Sequence, residues 1–298
     1  VLERRSQVVL GLDPDPMALW PEALAEGPAS PGGSDVAERT AMAVAVHCRA
    51  AIEAAGGACV AVKLQLACFE RLGGPGWSML AEVVAYARAR GLLTIADGKR
   101  GDVPVTARAY AQGLLGDTPG PFGPVPGLGA DAVTLNPLLG VDSLEPFVAR
   151  AVGEGAGCFV LVRTSNPGAA ELQDASVGGS PLHERLARLV HEAGEQATGA
   201  CGLSSVGVVA GATKPGLLAR LRELAPRAIF LMPGVGAQGG RVEELGPAFA
   251  PHPAGGLVTA SRSIVDAHRE RGGHPAGAAA AAADELREAA WALSRAAG

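Results

Sequence analysis

Eight short apolar runs, each followed by a longer helical stretch, constrain the fold of this chain more than any other feature. They are Val8–Asp13, Cys59–Leu64, Leu92–Asp97, Ala132–Leu135, Cys158–Arg163, Val206–Ala210, Ile229–Met232 and Gly256–Ala260. Near-continuous β-branched runs of four to six residues suit parallel strands covered on both faces. Helical patterns lie between them, at Asp35–Ala55, Trp77–Arg90, Pro181–Thr198, Pro215–Leu224 and Ala276–Ala297. Eight strand–helix units in 298 residues, with no break in composition, predict an α/β chain folded as one (β/α)8 TIM barrel over residues 1–298. A doubly wound open sheet would want a glycine-rich turn after its first strand, and this one reads Gly-Leu-Asp-Pro-Asp-Pro. Two Pro/Gly-rich segments, Glu26–Ser34 and Gly116–Ala130, are longer than ordinary connections and read as insertions or interface segments.

Charge narrows the chemistry. A net charge of −5 argues against a nucleic-acid partner. Of 25 basic residues only Lys63, Lys99 and Lys214 are lysine, and arginine cannot replace a lysine that must give up a proton. The five cysteines form no CxxC pair and sit in apolar stretches, as buried thiols of a reducing cytosol would. The six histidines form no HxxxH or HExxH array, so no metal site is expected from them. No run of 18 apolar residues and no secretory segment ahead of the first strand occur, so no membrane span and a cytoplasmic location are expected.

In a barrel, reacting side chains sit where strands end. Those ends carry Asp13, Lys63, Asp97, Lys99, Asn136, Thr164, Ser165, Thr213, Gln238 and Arg262. The third strand closes in Asp97-Gly98-Lys99-Arg100-Gly101-Asp102, two carboxylates that hold one ammonium charged and aim it. Lys63, inside the second apolar strand, needs a partner, and Asp97 one strand over is the natural one. Lys63, Asp97, Lys99 and Asp102 then form an alternating charged chain. After strand seven, Pro233-Gly234-Val235-Gly236-Ala237-Gln238-Gly239-Gly240 offers a glycine-rich anion loop, and Arg262 ends strand eight beside it. That is the usual phosphate site of a barrel.

These segments resemble the orotidine 5′-phosphate decarboxylase family, in the longer form seen in some bacteria. The resemblance rests on LGLDPDP (10–16), VKLQLACFERLG (62–73), IADGKRGDVPVTA (95–107), LVRTSNPGA (161–169), VVAGAT (208–213), FLMPGVGAQGG (230–240) and TASRSI (259–264). It implies a (β/α)8 homodimer without metal or organic cofactor that decarboxylates orotidine 5′-monophosphate. It further implies that Asp13 and Lys63 bind ribose hydroxyls, that Asp97 faces the substrate carboxylate, and that Lys99 supplies the proton. Asp102 and Thr106 would reach into the neighbouring subunit's site. Ser165 would contact the pyrimidine, while Gln238 and Arg262, in company with Pro233 and Gly239, would hold the phosphate end. Gly98 and Ser261 stand where many relatives have alanine and glycine, and Gly98 is expected to loosen the catalytic turn.

The residues alone leave three rivals. A metal-dependent sugar-phosphate decarboxylase or aldolase on the same barrel would want an acid where Lys63 stands. A Schiff-base aldolase would want a neutral lysine, which two flanking acids oppose. A silent phosphate-binding barrel would be free to lose a member of the charged set.

Overall fold

The computed structural model describes residues 1–25 and 36–297. Glu26–Ser34 therefore lies outside the described residues. Eight parallel strands close into a barrel in sequence order: β1 (Val8–Leu12), β2 (Ala61–Gln65), β3 (Leu93–Arg100), β4 (Ala132–Leu135), β5 (Gly157–Arg163), β6 (Ser204–Ala210), β7 (Ala228–Pro233) and β8 (Gly256–Ala260). All eight predicted runs are strands, two of them with the expected ends and the others with an end moved by at most three residues.

Each strand side chain faces either the helices or the barrel axis, and the alternation follows from the pleat. The even-facing set, including Val8, Leu10, Val62, Leu64, Val160, Phe230 and Val258, packs under the helical shell in the main core. A second, smaller cluster fills the barrel itself with Val9, Ala61, Ile95, Ala132, Phe159, Val209 and Leu231. The same parity continued two or four residues further brings Lys63, Gln65, Asp97, Lys99 and Thr134 above that apolar plug. Packing at the bottom and chemistry at the top thus share one set of inward positions.

The largest surrounding helices are Val36–Ala55, Gly73–Ala89, Pro104–Leu115, Val141–Glu154, Leu182–Ala193 and Pro275–Ala297. The helix expected over Pro181–Thr198 stops at Ala193, and a 3₁₀ turn at Glu195–Ala197 follows Gly194. The Gly116–Ala130 insertion joins the end of the Pro104–Leu115 helix to the start of β4, which places it on the face opposite the strand C-termini. It forms a two-residue ribbon, Asp117–Thr118 against Val125–Pro126. It is accordingly no lid over the strand ends. Cys48, Cys59 and Cys158 are buried, Cys68 is half-buried and Cys201 is exposed, so the uniform burial expected of the thiols fails at two positions. No helix among the described residues is long and apolar enough to cross a membrane.

Candidate active site

A cavity of about 560 Å³ opens at the C-terminal ends of the strands. Its volume lies in the range of small-molecule sites. Asp13, Lys63, Asp97, Lys99, Ser165, Pro233, Gln238 and Arg262 all line it. Asp102, Thr106 and Gly239 do not, nor do the strand-end residues Asn136 and Thr213, nor the third lysine, Lys214.

The charged centre is built across three adjacent strands. Register pairs Gly11 with Lys63 and Gln65 with Asp97. Lys63 Nζ lies 2.7 Å from Asp97 Oδ2 and 3.5 Å from Asp13 Oδ1. Lys99 Nζ lies 2.7 Å from Asp97 Oδ1. Within one chain the alternating contacts run Asp13–Lys63–Asp97–Lys99, and Asp102 makes no ion pair with Lys99 of its own chain. Within this chain Asp102 instead accepts the N–H of Val103 at 2.8 Å, just ahead of a helix, and Thr106 on that helix is exposed.

Burial works against the Lys63 ammonium, but Asp97 and Asp13 outweigh it and hold its pKa above the usual lysine value. Burial likewise opposes the Asp97 carboxylate, and the two ammonium groups beside it hold its pKa well below the ordinary range. Asp97 is therefore held as the carboxylate at neutral pH. A buried pair of this kind is no strong source of stability, because the desolvation cost offsets the attraction. Its value is a fixed field at the cavity wall.

β3 runs three residues past the expected end at Asp97, and Lys99 lies inside it at φ +49°. That left-handed backbone is unusual for a residue with a side chain. Gly98 is closely packed in this turn. A Cβ there would fall 2.7 Å from Leu66 Cδ1, so the fully buried Leu66 fills the space an alanine methyl would take.

Sequence reasoning missed several wall residues. Thr134 Oγ1 donates to Asp97 Oδ1 at 2.7 Å. Gln65, with its amide oriented to suit both neighbours, donates to the Asp97 carbonyl at 2.7 Å and accepts from Lys99 Nζ at 3.3 Å. On the far wall, Gln173 Oε1 accepts the Thr164 N–H at 2.7 Å and its Nε2 donates to Thr164 Oγ1 at 3.1 Å. Behind it the buried Arg163 forks onto Asp174 at 2.8 and 3.0 Å. Inward parity in β2 and β4 is the signal that could have found Gln65 and Thr134. Gln173 has no such signal, because it lies on a short helix, Ala169–Gln173, beyond β5.

The glycine-rich segment after β7 is a closed loop. Gly236 N–H donates to Gly240 O at 2.9 Å, Gly239 N–H to Gly236 O at 2.7 Å and Gly240 N–H to Gly234 O at 3.0 Å. Gly239 therefore shapes the loop instead of contacting the cavity. Gly236 sits at φ +74°, and a Cβ on it would come 2.7 Å from Ser263 Cβ, so the loop packs directly against the turn that carries Arg262. Arg262 is exposed at the cavity wall and forms no ion pair among the described residues. No group of three His, Cys, Asp or Glu side chains arranged to hold a metal ion occurs among the described residues.

Comparison with known proteins agrees with this geometry. The Orotidine 5'-phosphate decarboxylase / HUMPS family matches residues 6–273. The chain is 41% identical to an orotidine 5'-phosphate decarboxylase of Rhodopirellula baltica over 269 residues, covering 90% of this chain and 86% of that one. It is 38% identical to the enzyme of the same name from Roseiflexus castenholzii over 297 residues, 98% of this chain and 94% of that one. The structure of Leishmania donovani OMP decarboxylase superposes with a TM-score of 0.71 at 32% identity, covering 99% of this chain and 97% of that one. A barrel with its cavity at the strand ends, a lysine–aspartate network on β2 and β3, and this match over nearly the whole length lead to one conclusion: the chain belongs to the orotidine 5′-phosphate decarboxylase family.

Proposed function

We propose that residues 1–298 act as one decarboxylase domain in which Lys99 is the proton donor as orotidine 5′-monophosphate becomes uridine 5′-monophosphate. The observation that carries this reading is the Lys99 ammonium, held 2.7 Å from an ionised Asp97 at the wall of a cavity with an unpaired arginine in the same wall. The C6–carboxylate bond breaks and its electron pair stays on C6, while carbon dioxide leaves. The Lys99 ammonium then gives a proton to C6 and becomes a neutral amine. Its side chain is 44% exposed, so water can return the proton. Charges about 4 Å apart at an effective dielectric of 20 attract by about 4 kcal/mol, which stabilises the carbanion as it forms. Asp97 faces the departing carboxylate, and the Lys63 side of the network keeps it fixed and charged.

Asp13 and Lys63 take the ribose hydroxyls, and Ser165, braced by the Thr164–Gln173 clamp, takes the pyrimidine. Pro233, Gln238 and Arg262 receive the phosphate end. Lys63 puts an ammonium between Asp13 and Asp97, where a bound divalent cation would be repelled, and this supports chemistry without a metal. An optical assay with orotidine 5′-monophosphate should record its conversion, unchanged after incubation with EDTA. Activity that disappears with EDTA and returns with magnesium would favour the metal-dependent sugar-phosphate branch.

Asp102 and Thr106 are proposed to complete the site of a second copy of this chain in a homodimer. The support is that both lie outside their own chain's cavity, among exposed apolar side chains. Val105 is 83% and Leu138 64% exposed, on the neighbouring ends of β3 and β4. Mixing inactive Asp102→Ala and Lys99→Ala chains should regenerate about a quarter of the wild-type activity, because random pairing makes one intact site in half of the dimers. Mixtures that stay inactive while forming mixed dimers would remove Asp102 from the partner's site.

A further inference from the structure

We propose that Thr134 is a positioning residue that fixes Lys99 for proton delivery, holding both its backbone and its carboxylate partner through one hydroxyl. The inference rests on the reading of Lys99 as proton donor. The pairing of β3 with β4 is interrupted at this point. Ala96 is opposite Val133 and Arg100 opposite Leu135, so four steps along β3 match two along β4. The extra residues form a bulge at Asp97–Gly98–Lys99, and Thr134 is the single β4 residue facing it. Bulges of this kind re-aim side chains next to reacting groups.

A bulge leaves backbone groups without their ladder partners, and here a side chain replaces one of them. The Lys99 N–H donates to Thr134 Oγ1 at 2.9 Å, and that same oxygen donates its proton to Asp97 Oδ1 at 2.7 Å. The direction is fixed by chemistry: an ionised carboxylate only accepts, so the hydroxyl proton goes to Asp97 and a lone pair remains for Lys99. Asp97 Oδ1 also accepts Lys99 Nζ at 2.7 Å. The lysine is thereby gripped at both ends, by its backbone amide and by its ammonium, through two atoms that are themselves bonded to each other. Thr134 is 2% exposed, so no water can take over either bond. Without the hydroxyl, the Lys99 amide loses its partner while its backbone stays in the left-handed region at φ +49°, a conformation that surrounding contacts must enforce.

The substrate's ribose and phosphate contacts lie elsewhere, so Thr134 should matter for turnover and not for binding. The test compares Thr134→Val, which keeps the shape and removes the hydroxyl, with Thr134→Ser, which keeps the hydroxyl. Readouts are kcat and KM for orotidine 5′-monophosphate, affinity for uridine 5′-monophosphate, and Tm. Thr134→Val is expected to lose about 10- to 100-fold in kcat, the scale of a small misplacement of a reacting group, with KM and product affinity within about threefold. Thr134→Ser should restore kcat to within about threefold of wild type. If Thr134→Val fails to fold, Thr134→Ala takes its place in the comparison. Wild-type kcat in the hydroxyl-free variant, a loss of kcat matched by the same loss of affinity, or a serine variant as slow as the valine one would each overturn the proposal. Lys99→Ala measured in parallel separates the two levels. An active Lys99→Ala protein removes the proton-donor reading itself. An inactive one beside a fully active Thr134→Val removes only the role of Thr134.

Discussion

Lys99→Ala is expected to lower kcat by about five orders of magnitude while the affinity for uridine 5′-monophosphate stays within about threefold. Two losses combine. An ammonium near the C6 carbanion contributes about 4 kcal/mol at an effective dielectric of 20, which is about three decades in rate. Loss of a positioned general acid removes about two decades more. Binding should be spared because the proposed phosphate contacts Gln238 and Arg262 and the proposed ribose contacts Asp13 and Lys63 are untouched. Lys99→Arg divides the two terms. A guanidinium keeps the positive charge but does not release its proton, so this variant should lose about the two decades of general-acid catalysis while keeping most of the charge contribution. Residual rates this low require release of labelled carbon dioxide over hours, with product affinity measured by calorimetry. A Lys99→Ala protein within a hundredfold of wild type would sink the mechanism.

Why Lys99 was visible in the sequence and Thr134 was not is a matter of how each is specified. Lys99 belongs to a local array of charges at the end of an apolar strand, and lysine is rare in this chain. Lys63 was equally conspicuous, because a charge in a buried strand demands a partner and the adjacent strand offered Asp97. Thr134 is one hydroxyl in an apolar four-residue strand, Ala-Val-Thr-Leu, and its importance depends on a bulge in a different strand. That bulge also hid the true end of β3: Gly98-Lys99-Arg100 carries no apolar pattern, yet the ladder resumes at Arg100.

The presence of Asp13, and not Asp102, beside the lysines of its own chain has a similar origin. Both aspartates follow strands, and sequence distance favours Asp102, three residues from Lys99. The barrel makes β1 the neighbour of β2, which brings Asp13 to Lys63 across 50 residues of chain. Asp102 follows Gly101, where the chain turns away into the helix beginning at Pro104. The sequential strand order of a barrel, which the strand count did predict, was therefore enough to find Asp13. What it could not give was the outward turn at Gly101.

Arg262→Ala should leave the chemistry nearly intact and damage substrate capture. The guanidinium stands at the cavity wall without an ion pair among the described residues, and the closed Gly234–Gly240 loop packs beside it. Removing one partner of a hydrogen-bonded charge pair costs about 2–5 kcal/mol, so kcat/KM should fall by about 30- to 5000-fold. Saturating substrate should recover most of kcat, because Lys99 and Asp97 stand on β3, three strands round the barrel from β8. Orotidine, the same nucleoside without its phosphate, provides the control. Wild type and Arg262→Ala should process it at equal rates, since neither can form the missing contact. The phosphate is remote from the bond that breaks, so interaction energy at Arg262 reaches the reacting carbon only by holding the nucleotide and its surrounding loop in place. A variant that loses the same factor with orotidine as with the nucleotide would place Arg262 in the chemistry itself and not at the phosphate.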